Sequence, residues 1–151
     1  MKLQYLYDIF NNKYIGLDIK LNATDINGLS LNNLLNIASN KIINFNNCND
    51  KLLIRNNNKY HITIFNVAEY NKNKKIDKFI GLTINNIEFL GIGSINKKDK
   101  ETYFIVVKIN ILQSLRKTLN LKSKDLHITI GFTDKDLFNK SKNICNIYSI
   151  N

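Results

Sequence analysis

The chain has 151 residues, of which 44% are hydrophobic and 23% charged, with 22 Lys and Arg against 12 Asp and Glu. These proportions fit one globular domain over residues 1–151 with its own core. They exclude a helical membrane protein, because no apolar run approaches the roughly 18 residues that a span needs. The formal net charge of +10 disfavours cationic targets and favours anionic partners, RNA or nucleotides first. The same lysines, with abundant Asn and Ile and no Pro or Trp, are also what a very AT-rich genome produces, so the charge permits an anionic partner without specifying one.

In chain order, Met1–Asp8 lacks the apolar stretch of a secretion signal. Tyr14–Ile19 is β-rich and reads as a strand. Ser30 precedes apolar residues at 31, 34, 35 and 38, which is helical spacing with Ser30 as N-cap. The Asn pairs and runs at 46–47, 56–58, 71 and 73, and 85–86 read as loops. Lys59–Phe65 alternates as a strand, and 67–76 reads as a polar helix. Ile87–Gly93 is a strand in which Gly91 and Gly93 mark a bulge or a close approach of another backbone, not a phosphate loop, since no helix or P-loop lysine follows. Thr102–Ile109 is the most β-prone stretch. Residues 110–121 carry Ile111, Leu112, Leu115 and Leu119 as an amphipathic helix. Asp125–Phe132 is a strand, Thr133 reads as the cap of a short helix with Asp136 three residues on, and 144–150 reads as an edge strand. No linker divides the chain, and the element order predicts an α+β domain of mixed or antiparallel sheets with outer helices. Cys48 and Cys145 lack metal-ligand spacing and read as thiols of a reducing compartment. The expected location is cytoplasmic or nuclear, and the expected state is a monomer.

The two histidines, His61 and His127, are each followed by the same three residues: His61-Ile62-Thr63-Ile64 and His127-Ile128-Thr129-Ile130. In a strand, residues i and i+2 share a face. His61 therefore projects with Thr63, and His127 with Thr129, while the isoleucines face the other way into a core. Two imidazoles suit general acid–base cleavage of a phosphodiester: one takes a proton from the attacking oxygen and the other protonates the leaving oxygen. The threonine hydroxyls can donate to the non-bridging oxygens. Two histidines without clustered Asp, Glu or Cys fall short of a zinc site, so no metal and no other cofactor is expected.

Paired His-x-Thr motifs on strands about half a domain apart resemble the signature of the 2H phosphoesterase superfamily. That superfamily includes cyclic nucleotide phosphodiesterases, RNA 2′,3′-cyclic phosphodiesterases and 2′,5′-oligoadenylate phosphodiesterases. The segment from Glu101 to Phe138 also resembles an RNA-repair-like branch. The resemblance implies two pseudo-symmetric α+β lobes around a groove, with His61, Thr63, His127 and Thr129 as the four catalytic positions. The expected reaction is metal-independent hydrolysis of a 2′,3′-cyclic phosphate on an RNA end or a nucleotide. The alternatives are cleavage of 2′,5′-oligoadenylate or cyclic oligonucleotides, and a non-catalytic RNA-binding module.

Around the motifs, Tyr60, Phe65 and Phe132 are aromatic enough to stack on a base, and strand parity puts Phe65 alone on its histidine's face. Lys59 and Asp125 each precede a histidine by two residues. Lys59 either touches phosphate or ends as a solvated strand terminus, and Asp125 either orients an imidazole or caps a loop. Arg55, Arg116, Lys97 and Lys98 are backbone contacts for RNA or solvated surface.

Overall fold

Two copies of one local plan build the protein. The computed structural model describes residues 1–138 and 140–150. The first copy runs β1 (Gln4–Tyr7), β2 (Lys13–Ile19), α1 (Leu31–Lys41), α2 (Phe45–Arg55) and β3 (Tyr60–Phe65). Then come α3 (Val67–Lys72) and a 3-10 helix (Lys74–Phe79). The second copy runs β4 (Glu88–Lys97), β5 (Lys100–Lys108), α4 (Asn110–Thr118) and β6 (His127–Phe132), with β7 (Tyr148–Ser149) at the end. In each copy a β-hairpin leads through helix to a third strand that returns beside the second hairpin strand. The sheets are ordered β1-β2-β3 and β6-β5-β4-β7, and every ladder is antiparallel. The architecture is the α+β arrangement read from the sequence.

The third strands carry the His-Ile-Thr-Ile segments. Both are edge strands, and β3 and β6 run close together where the two sheets meet. Their isoleucines Ile62, Ile64, Ile128 and Ile130 are fully buried in one hydrophobic cluster drawn from both sheets. Burying four such side chains contributes roughly 1.5–3 kcal/mol each, which locks the strand faces and leaves the His and Thr positions on the other side.

The helices start as their sequences dictate. Ser30 caps α1, with a reciprocal capping box to Asn33, and Asn66 caps α3 in the same way with Glu69. Asn57 and Asn58 take positive φ values of 54° and 62° in the turn before β3, a conformation that asparagine tolerates. Two expectations are corrected. Asn46 and Asn47 are not in a loop; they lie in the first turn of α2, which is driven by Phe45, Cys48 and Leu52 buried at spacings of three and four. Thr133 caps no helix. Its hydroxyl accepts from the Glu101 backbone N–H at 3.0 Å, and the described residues between β6 and β7 run as an irregular strap.

Gly91 and Gly93 explain where that strap goes. They stand opposite Val106 and Phe104 of β5, which in turn stand opposite His127 and Thr129 of β6, so all six positions share one sheet face. A Cβ on Gly93 would lie 1.7 Å from the Ile144 carbonyl oxygen, and one on Gly91 2.3 Å from that of Tyr148. Gly93 thus lets the strap's backbone press onto the motif-bearing face, and Gly91 lets β7 come close beside β4, the close approach of another backbone that the sequence suggested for this pair. Beneath it Ile95, Phe104, Val106 and Leu137 form a second, smaller apolar cluster. Gly93→Ala forces the strap off the sheet and is expected to cost about 1–3 kcal/mol, measured as a lowered midpoint in urea. Activity should fall further than the folded fraction does, because the strap carries side chains of the site.

Candidate active site

The four motif residues are delivered as the alternation predicted. In β3, His61 and Thr63 are the two partly exposed positions among buried neighbours. In β6, His127 is partly exposed and Thr129 is buried to 7%. Both strands then bulge at the same point. Thr63 stands opposite Gly16 but Phe65 opposite Ile15, so Ile64 is an extra residue. Thr129 stands opposite Phe104 but Gly131 opposite Tyr103, so Ile130 is the extra residue there. The last residue of each repeated tetrapeptide is therefore a bulge, which bends the strand directly beyond its threonine.

The bulge corrects one expectation. Phe65 does not share the His61 face, because the extra residue breaks the parity. It is fully buried and stacks on Phe79 with ring centroids 6.3 Å apart. Tyr60 and Phe132 are also core. Lys59 is exposed at the strand's start and lines an open cavity of about 710 Å³ with Asp18, Asn46, Asn49 and Tyr60; none of the four motif residues lines it. Arg116 is no surface contact. It is buried to 4% and paired with Glu69 at 2.7 Å.

Besides Asp18, which stands opposite His61 in the ladder, and Lys124, which acts on His127, three linked charged residues act on the histidines. Arg55 ends α2, and the strap supplies Asp136 and Lys142. The Asp136 carboxylate accepts from Lys142 Nζ at 2.8 Å and from Arg55 Nη1 at 3.2 Å. The side chains of Asp136 and Lys142 are each 4% exposed. The charges of Asp136 and Lys142 act on both imidazoles, which stand on two strands that run close together where the sheets meet. Burial pushes the Asp136 carboxyl up, but Lys142 and Arg55 outweigh it and hold the group below its ordinary value. Asp136 lies in irregular chain and not in the expected helix turn, and no sequence pattern marks Lys142. Phe138, also on the strap, is an exposed ring with the Arg55 guanidinium 5.9 Å and the Lys142 ammonium 5.8 Å from its centroid.

Hydrogen bonds orient the rings. His127 Nδ1 lies 2.8 Å from the Asp125 carbonyl oxygen. That nitrogen must carry the proton to donate there, which leaves Nε2 as the unprotonated nitrogen of the neutral ring. It is thus the backbone of Asp125 that orients the ring, while the Asp125 carboxylate accepts from Ser141 and ties the strap to β6. His61 Nε2 lies 3.4 Å from the Tyr14 hydroxyl. Phe104 meets His127 edge-on at 6.3 Å. Burial, then the Arg55 guanidinium, lowers His61 to about 4. Burial, then the Lys142 ammonium, lowers His127 to about 4. Both rings are neutral near pH 7, chiefly through burial, and the smaller contribution of the neighbouring cations would be offset by a bound anion.

These shifts predict acid sensitivity. An unfolded chain binds a proton at each histidine near 6.5, the folded chain near 4. Between those values the unfolded state holds more protons, so stability drops as pH falls through the window and is flat above it. The expected loss at about pH 5.5 is on the order of 1 kcal/mol per ring. Urea melts at about pH 7.5 and 5.5 should show it, and a His61→Gln, His127→Gln double variant should lose most of the slope.

Among the described residues, no three of His, Cys, Asp and Glu are gathered as a metal would require, and no helix is long and apolar enough to cross a membrane. A family model described as "Swiss Army Knife, 2H phosphoesterase domain" matches residues 28–138, a span containing both motifs. No curated protein and no solved structure matches the chain.

Proposed function

On the premise that the chain belongs to the 2H phosphoesterase family, we propose that it hydrolyses the 2′,3′-cyclic phosphate of an RNA end or a nucleotide without a metal, using His61 and His127 as the proton-transfer pair. The observation that carries this reading is the adjacency of β3 and β6, edge strands that each present a His-x-Thr motif where the two sheets meet, and the Asp136–Lys142 ion pair, whose charges act on both imidazoles, supports it. Two imidazoles on adjacent strands, with the Arg55–Asp136–Lys142 cluster and its one excess positive charge, suit a single phosphodiester. One neutral imidazole accepts a proton from water as its oxygen bonds to phosphorus. The other donates a proton to the 2′ or 3′ oxygen as that oxygen leaves, and a phosphomonoester results. In the reverse direction the rings exchange roles. Arg55 and Lys142 attract the phosphate, and its negative charge raises the ring that must enter protonated. Thr63 and Thr129 donate to the non-bridging oxygens. Phe138 offers an open aromatic face beside those cations, suited to a base, and takes the stacking role expected of Phe65.

The reading is tested with purified protein in EDTA on 2′,3′-cyclic nucleotides and on RNA ending in a cyclic phosphate, with 2′,5′-oligoadenylate in the same panel. Monoester formation from the cyclic phosphates supports it. A strict need for added metal, turnover confined to 2′,5′-oligoadenylate, or RNA binding with no turnover of any diester overturns it.

A further inference from the structure

We propose that Asn49 and Arg116 are a reciprocal pair of positioning residues, each mounted on a helix of one half and holding the bulge behind the His-x-Thr motif of the other half. The inference rests on reading His61 and His127 as the proton-transfer pair, but its evidence is independent of any substrate.

A bulge interrupts the ladder and leaves a backbone group in need of another partner. In β3 the extra residue is Ile64, and its carbonyl accepts from Arg116 Nη1 at 2.7 Å. In β6 the extra residue is Ile130, and its carbonyl accepts from Asn49 Nδ2 at 2.7 Å. Arg116 belongs to α4, which connects β5 to β6; Asn49 belongs to α2, which connects β2 to β3. Each bulge is thus held from the opposite half.

Both donors are themselves fixed. Glu69 grips the Arg116 guanidinium through both carboxylate oxygens, at 3.0 and 2.7 Å, and the Lys122 carbonyl accepts from its Nε–H at 2.9 Å. Asn49 Nδ2 also donates to the Tyr60 hydroxyl at 2.8 Å, so it spans from the residue before His61 to the bulge after Thr129. Gly131 lets α2 come close enough for this, since a Cβ there would lie 3.1 Å from the Asn49 backbone nitrogen. A bulge sets the direction of the strand segment beside it, and the motif threonine is the adjacent residue. Holding the two carbonyls therefore sets the angle at which the two motifs face each other across the sheet junction.

The chain has two histidines, so imidazole NMR resolves one ring from each half without substrate. Asn49→Ala should move the His127 resonances in ligand-free protein and leave those of His61 near their wild-type positions. In the cyclic-nucleotide assay kcat should fall about tenfold or more with KM within about twofold, as misplacement of reacting groups produces. Tyr60→Phe, which removes only the other arm of Asn49, should keep kcat and the His127 resonances close to wild type. Arg116→Lys should mirror Asn49→Ala by moving His61 first; should that chain not fold, Glu69→Gln, which slackens the grip on Arg116, reads the same point. A lowered melting temperature in Asn49→Ala with kcat and the His127 resonances unchanged would overturn the proposal. The resonance arm stands even if cyclic nucleotides prove not to be substrates, so failure of the clamp and failure of the assigned reaction are read separately.

Discussion

Replacing either His61 or His127 with alanine is expected to lower kcat for cyclic-phosphate hydrolysis by about 10²–10⁴-fold, and replacing both should cost little more than replacing one. The non-additivity follows from the site's construction. In the proposed reaction proton abstraction and proton donation belong to one displacement, so losing either half disables the unit. KM should change little, since Arg55, Lys142 and Phe138, which would hold the substrate, remain. Each variant should also be slightly more stable than the parent in mild acid, because a ring held near 4 no longer opposes folding there. A variant that retained wild-type kcat would remove its histidine from the reaction.

Asp136→Asn carries the largest expected effect on stability. The carboxylate neutralises Lys142 and Arg55, and both it and Lys142 are withdrawn from water. Removing one member of a buried ion pair leaves the other without compensation, at a cost of about 3–5 kcal/mol. The cations are also the groups proposed to receive the substrate's phosphate, so Asp136 stands in for an anion when none is bound. The expected result is a large drop in the urea midpoint in buffer free of multivalent anions, with partial recovery in inorganic phosphate that exceeds any gain by the wild type. Equal phosphate effects on both proteins would separate the ion cluster from the phosphate site.

The parts legible in the sequence are those set by short-range chemistry. Alternation around His61 and His127, the Ser30 cap and the paired glycines at 91 and 93 each depend on a few neighbouring residues. The duplicated tetrapeptide stands out in the sequence, and alternation assigns its fourth residue to the core. Ile64 and Ile130 are bulges as well, and no local signal marks them. That hidden residue reversed the parity on which Phe65 was placed. Helix α2 escaped because Asn46, Asn47 and Asn49 are weak helix formers, while its buried positions, Phe45, Cys48 and Leu52, settle the matter through tertiary contact. Asp136 and Lys142 lie in irregular chain, where periodicity says nothing, and they reach the site because the glycines admit the strap. Arg116 illustrates the same gap: charge alone suggested surface, whereas a bulge carbonyl and Glu69 make a buried guanidinium favourable.

For the proposed reaction to run, both imidazoles must answer to one phosphate. The most direct measurement is the pH titration of the two histidine rings by NMR, with and without saturating inorganic phosphate. Free protein should give both rings values near 4; with phosphate, both sets of resonances should move and at least one ring should titrate above about pH 6. Response of a single ring, with the other indifferent to the anion, would contradict the shared site.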